Sequence, residues 1–157
     1  MAGLGLEAKA CTSLELKVLK GHTKTVSSVV FSNNGKWIAS GSYDKSMQVW
    51  DVSTGVELKE LKDHTGMVSS VMFSSDSTWI VSGESSVWVW DASTGVELNE
   101  IKDHPGSVFS VAFSNDGTQI VSGLSDKSVQ VWNALTGMEL KELKGHNGMV
   151  NFSCFLK

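Results

Sequence analysis

Histidine, serine and aspartate recur at fixed distances along this chain. His22 is followed by Ser40 and Asp44 at offsets of 18 and 22 residues, and His104 by Ser122 and Asp126 at the same two offsets. His64 and Ser82 repeat the first interval. These are the residue types of a nucleophilic hydrolase, in which an imidazole takes the serine proton and a carboxylate orients the ring. Three features argue against that chemistry. The set recurs, whereas an enzyme needs one site. A tryptophan (Trp50, Trp90, Trp132) closes each unit, placing an indole N–H where it can occupy the serine or histidine. No Gly-x-Ser-x-Gly elbow accompanies any of the serines. A hydrolase built on one His/Ser/Asp set is therefore the least favoured reading, and no catalytic residue is assigned.

Other chemistry is sparser still. The four histidines stand 42, 40 and 42 residues apart, a repeat interval rather than a metal-ligand spacing. Neither a metal nor any other cofactor is expected. The GLG at 3–5 follows no strand and lacks the spacing of a dinucleotide loop. Cys11 and Cys154 lie near opposite ends in no framework pattern and read as free thiols. All 13 basic residues are lysine and the net charge is −4, which disfavours a nucleic-acid partner. No apolar stretch approaches the roughly 18 residues of a membrane span, and MAGLGLEAKA is not built as a signal peptide. By elimination a cytoplasmic protein is expected, with no membrane partner.

The elements that must position these residues are repeated with them. Phe31, Phe73, Phe113 and Phe155 keep the histidine intervals, and each tryptophan precedes the next histidine by 14 residues. WDVSTGVELKELKDH (50–64) differs from WDASTGVELNEIKDH (90–104) at three positions, so the chain arose by duplication of one unit. Within a unit VSSVVF, KWIASG, SMQVWD and VELKEL are short, β-branched or alternating runs. Turns rich in Gly, Asn, Asp and Ser separate them, and the single proline, Pro105, sits in a turn. Four strands in about 40–45 residues is the length of a propeller blade. A twisted sheet that is apolar on both faces is stable only between neighbours.

On Gly21-His22, Trp50-Asp51, Trp90-Asp91 and the near-match Trp132-Asn133, with the spacing between them, the chain resembles the WD40-repeat β-propeller family over about residues 14–155. The resemblance implies an all-β propeller of four-stranded antiparallel blades. Its units span about 14–51, 56–91 and 96–133, with a partial unit at 138–157, after an N-terminal extension (1–13) whose LGLEA stretch alternates as a worn strand would. It also implies that the recurring polar residues are structural tetrads, Asp to His to Ser to indole: His22, Ser40, Asp44, Trp50 and His104, Ser122, Asp126, Trp132. Unit two lacks the Asp-Lys pair. It keeps His64, Ser82 and Trp90, offers Glu84, Ser85 or Ser86 as substitute acceptors, and has Trp88, read as core infill rather than an exposed binding aromatic, where Gln48 and Gln130 stand.

The function implied is a non-catalytic scaffold that binds other proteins on one loop face. Family offsets put Thr25, Ser27, Tyr43, Met67, Ser69, Ser107, Phe109, Ser125, Met149 and Asn151 on that face. In this family a motif begins with the outermost strand of one blade and continues into the next. That predicts three whole blades, an orphan outer strand at about 14–19 and an orphan inner strand at about 149–155. Three and a fraction cannot close a ring of roughly four to eight blades. Self-association through the open ends, giving a homo-oligomer, is the favoured resolution. The alternative is a fragment of a larger WD-repeat signalling or sensor protein.

Overall fold

The computed structural model describes residues 18–151. Among them twelve strands form three antiparallel sheets and no helix occurs. Blade one holds β1 (Val26–Phe31), β2 (Trp37–Ser42), β3 (Met47–Asp51) and β4 (Glu57–Leu61). Blade two holds β5 (Ser70–Phe73), β6 (Trp79–Gly83), β7 (Val87–Asp91) and β8 (Glu97–Ile101), and blade three β9 (Val108–Phe113), β10 (Gln119–Leu124), β11 (Val129–Asn133) and β12 (Glu139–Leu143). Each sheet is a meander in chain order, and β5 lies against both β1 and β9, so the first strands line the axis and the last form the rim. The all-β class, the four-stranded blades and an incomplete propeller of three blades are as the sequence predicts. Of the spans expected for the two orphan strands, residues 18, 19, 149, 150 and 151 carry no strand and the rest lies outside the described residues, as do residues 4–8, Cys11 and Cys154.

Antiparallel meanders sort the loops. Turns after the first and third strands share one end of the blades. Turns after the second strand, and the histidine-bearing entries to the first, share the other. The chain reverses after each third strand through Gly55, Gly95 and Gly137, all at positive φ, a region glycine enters without the steric cost a side chain carries.

The core lies between the blades. Ala39, Val49 and Leu61 of blade one pack against Val71, Phe73, Ile80 and Trp90 of blade two. Val81, Val89 and Ile101 of blade two meet Val111, Phe113, Ile120 and Trp132 of blade three. Gly41 and Gly83 permit the close approach: a Cβ there would stand 2.6 Å from Val68 Cγ1 and 2.8 Å from Val108 Cγ1. The outward faces of the arc lack this cover. Phe73 and Phe113 are 1% and 5% exposed, but Phe31 is 61% exposed. On the opposite flank Leu143 is 51% exposed where Leu61 and Ile101 are 7% and 4%. Rim pairs such as Lys62–Glu60 (2.9 Å) are solvated and add little stability.

Candidate functional site

Blade one joins its four polar side chains completely. Indole N–H can only donate, so Trp50 Nε1 donates to Ser40 Oγ at 2.9 Å and fixes the direction of the chain. The Ser40 hydroxyl then donates to His22 Nε2 (2.8 Å), and His22 Nδ1–H donates to Asp44 Oδ2 (2.9 Å). The same carboxylate accepts the Thr23 N–H at 2.8 Å, and its other oxygen accepts the Ser46 hydroxyl at 2.7 Å. Burial opposes the Asp44 charge, but the bonds from Ser46, Thr23 and His22 outweigh it and hold the carboxyl well below the usual carboxylate range. Paired in this way, polar groups can be buried without the penalty of unmet hydrogen bonds.

Blade three, at identical spacing, does not repeat this. Trp132 Nε1 donates to Ser122 Oγ at 3.0 Å, but the bond from Ser122 to His104 Nε2 stretches to 3.3 Å. His104 Nδ1–H turns to the Ile101 carbonyl at 3.1 Å, and Asp126 stays exposed, bonded only within its own turn to Ser128 N (3.0 Å) and Oγ (2.7 Å). The set His104, Ser122, Asp126, Trp132 is thus three members joined and one apart. The cause is Pro105, which stands where blade one has Thr23 and has no N–H to hold the carboxylate in place. The imidazole loses a counter-charge while staying half-buried, and desolvation pushes its pKa down to about 4.

Blade two is a third variant. His64 Nε2 accepts from Ser82 Oγ (2.8 Å), which accepts from Trp90 Nε1 (2.9 Å). Glu84 takes over the loop-holding work of the lost aspartate, accepting from the N–H groups of Gly66 and Thr65 and from Trp88 Nε1 at 3.0 Å. It does not reach His64, whose Nδ1 is buried without a hydrogen bond among the described residues. Leu61 O, three residues earlier, favours the protonated ring but closes no bond of good geometry, so burial wins and lowers the His64 pKa. Trp88 is core: 6% exposed and stacked on Trp90 at 5.6 Å.

None of the three serines presents a nucleophile. Ser40, Ser82 and Ser122 are 5%, 0% and 0% exposed, and each accepts an indole N–H. No group of three or more His, Cys, Asp or Glu side chains is placed to hold a metal among the described residues.

The ten loop-face residues separate into groups. Tyr43, Met67, Ser69, Ser107 and Phe109 line one groove of about 300 Å³, to which all three blades contribute. Ser27 and Asn151 lie instead on the axial channel, which Ser69 and Phe109 also line. Thr25, Ser125 and Met149 line neither; the Thr25 carbonyl holds Tyr43 N at 3.0 Å. Ser27 and Ser69 have structural partners as well. Ser69 Oγ lies 2.9 Å from Gly83 O and 2.6 Å from Val108 O, and Ser27 Oγ stands likewise between Gly41 O and Val68 O, stapling neighbouring blades. The next serine accepts across the same joint, Ser28 Oγ from Val71 N (3.1 Å) and Ser70 Oγ from Val111 N (3.2 Å). Sequence reasoning missed these staples, whose signal was the repeated VSSV at 26–29 and 68–71.

The family model described as "WD domain, G-beta repeat" matches residues 13–51, 55–91 and 95–133. The chain belongs to the WD40 repeat family. Among curated WD40 relatives, the Notchless protein homolog of Arabidopsis thaliana is 54% identical over 39 residues, 25% of this chain and 8% of that protein. Vegetative incompatibility protein HET-E-1 of Podospora anserina is 45% identical over 49 residues, 31% of this chain and 3% of that protein. The solved structure of U3-55K superposes with a TM-score of 0.82 at 27% identity, covering 85% of this chain and 43% of the other. The WD40 repeats of RRP9 give 0.81 and 27%, covering 85% and 42%. The chain therefore spans less than half of these WD40 structures and a small part of the curated relatives.

Proposed function

We propose that this WD40 chain is a non-catalytic, cytoplasmic scaffold that binds protein partners and completes its ring by associating with another copy. The observation that carries the reading is the exposure of Val29 and Phe31 (66% and 61%) where their blade-two counterparts Val71 and Phe73 are 5% and 1% exposed. Blade three ends in the matching half. Its Leu143 is uncovered, and Ser110 Oγ, third in the series after Ser28 and Ser70, is buried with no N–H to accept among the described residues. Each flank is thus one side of a joint that the molecule already builds twice. A head-to-tail contact of this type closes into a ring when its rotation permits.

Sedimentation velocity at micromolar concentration tests it. The expected result is a dimer or larger species, driven toward 16.9 kDa by Phe31→Asp. A homogeneous, folded species at 16.9 kDa in the unaltered chain overturns self-association. In the second reading the same flanks meet further blades of a longer WD40 protein, which the 43% coverage of U3-55K favours. The groove of Tyr43, Met67 and Phe109 supports partner binding, since aromatic residues and methionine are enriched at interfaces. Absence of chemistry predicts that a fluorophosphonate probe leaves Ser40 and Ser122 unlabelled.

A further inference from the structure

At the joint of blades one and two, Asn33 closes the end opposite the histidine loops. Its backbone N–H donates to Ser77 Oγ (3.0 Å) and its side-chain amide to the Ser75 carbonyl (2.6 Å). At the joint of blades two and three, Ser75 stands in the place of Asn33 and Gly117 in the place of Ser77. Serine is too short to span the gap, and glycine has no hydroxyl to receive the backbone N–H. The joint stays open as a groove of about 360 Å³.

Its walls have a definite chemistry. Trp79 is half-buried, with its ring 6.5 Å from Phe113. Leu135, 76% exposed, stands at the groove with Asn133. Asp76 and Asp116 also line it. Each spends Oδ1 on its own turn, accepting the hydroxyl of Ser74 or Ser114 and the N–H and hydroxyl of Thr78 or Thr118. Each leaves Oδ2 without a hydrogen-bond partner among the described residues. Those bonds, from Ser114 first, lower the Asp116 pKa to about 2, and the same set headed by Ser74 lowers that of Asp76, so both carboxyls are ionised at neutral pH. No lysine among the described residues lines the groove. The corresponding turn of blade one carries Asn34 and Lys36 where blade two has Asp76 and Thr78, so the first joint is closed and its blade-one side has a lysine and no carboxylate.

We propose that this groove binds a cationic side chain, arginine best of all, from an extended segment of a partner protein. The guanidinium stacks on the Trp79 indole and bonds the free oxygens of Asp76 and Asp116, while its alkyl stem runs over Leu135. The groove lies at the opposite end of the blades from Tyr43, Met67 and Phe109, so it is independent of that surface and of self-association.

The test uses amide shifts of the full chain titrated with acetyl-Gly-Arg-Gly-amide, beside the same peptide with neutral citrulline. Saturable shifts at residues 74–79 and 116–118 are expected with arginine and not with citrulline. Asp76→Asn with Asp116→Asn should weaken binding at least about fivefold. Ser75→Asn with Gly117→Ser should abolish it by rebuilding the closed joint. That pair tests the groove without touching the carboxylates, because Ser77 already holds the equivalent turn at φ 62 and a Cβ on Gly117 meets nothing within 4 Å. Equal shifts with citrulline, shifts elsewhere only, or binding undiminished in the closed variant would overturn the proposal.

Discussion

Blades one and three carry the same four side-chain types at the same intervals, yet only blade one joins them all. The difference is one residue outside the set. Thr23 gives Asp44 an N–H at 2.8 Å; Pro105 has none to give, and Asp126 remains in its own turn. A buried histidine network therefore depends on the backbone donor that anchors its carboxylate as much as on the spacing of its side chains. Blade two makes the same point from the other side. Glu84 recovers the backbone donors of Thr65 and Gly66 but not the imidazole, leaving His64 Nδ1 unpaired.

Acid should separate the blades most strongly. The pKa values of His64 and His104 are depressed in the folded chain, so below about pH 6.5 the unfolded chain takes up protons that the native chain refuses. Stability present above that pH is lost as the pH falls toward about 4, with a slope of at most ~1.4 kcal/mol per pH unit for each histidine. Urea unfolding between pH 7.5 and 4.5 measures the slope. His64→Asn with His104→Asn should flatten it, and a slope unchanged in that variant would break the comparison.

Next in size is Asp44→Ala, which leaves His22 Nδ1, Thr23 N and the Ser46 hydroxyl without their shared acceptor. A loss of about 2–3 kcal/mol is expected, whereas Asp126→Ala, which removes only the turn bonds to Ser128, should lose clearly less. Equal losses in the two blades would show that the anchoring N–H is irrelevant. The smallest effect sharpens the contrast. Pro105→Thr restores the donor and should gain roughly 1 kcal/mol while raising the His104 pKa, as followed by ring-proton shifts. An unmoved His104 titration would refute the role given to Pro105.

Much of the fold was legible because it is written three times. Recurrence of His, Phe and Trp fixed the unit, alternation fixed the strands, and Gly, Asn and Asp fixed the turns. The site was less legible. Counting from His104 to Asp126 assigns the pair a contact that the backbone does not supply, although the adjacent proline was there to be read. Ser27 and Ser69 looked like surface residues because their acceptors, Val68 O and Val108 O, sit about 40 residues away on another blade. Trp88 was legible as core from its place in a shortened unit, but its bond to Glu84 was not.

What the sequence determined alone is the blade: local pattern and turn chemistry act within a few residues, and duplication repeats them without loss. What only the tertiary structure decided is what happens between blades. There, a joint is closed by Asn33 and Ser77 or left open by Ser75 and Gly117, and Phe31 is uncovered while Phe73 is sealed. The physical reason is that burial and hydrogen-bond closure belong to pairs of surfaces, and a side chain's partner across a joint cannot be read from its own strand.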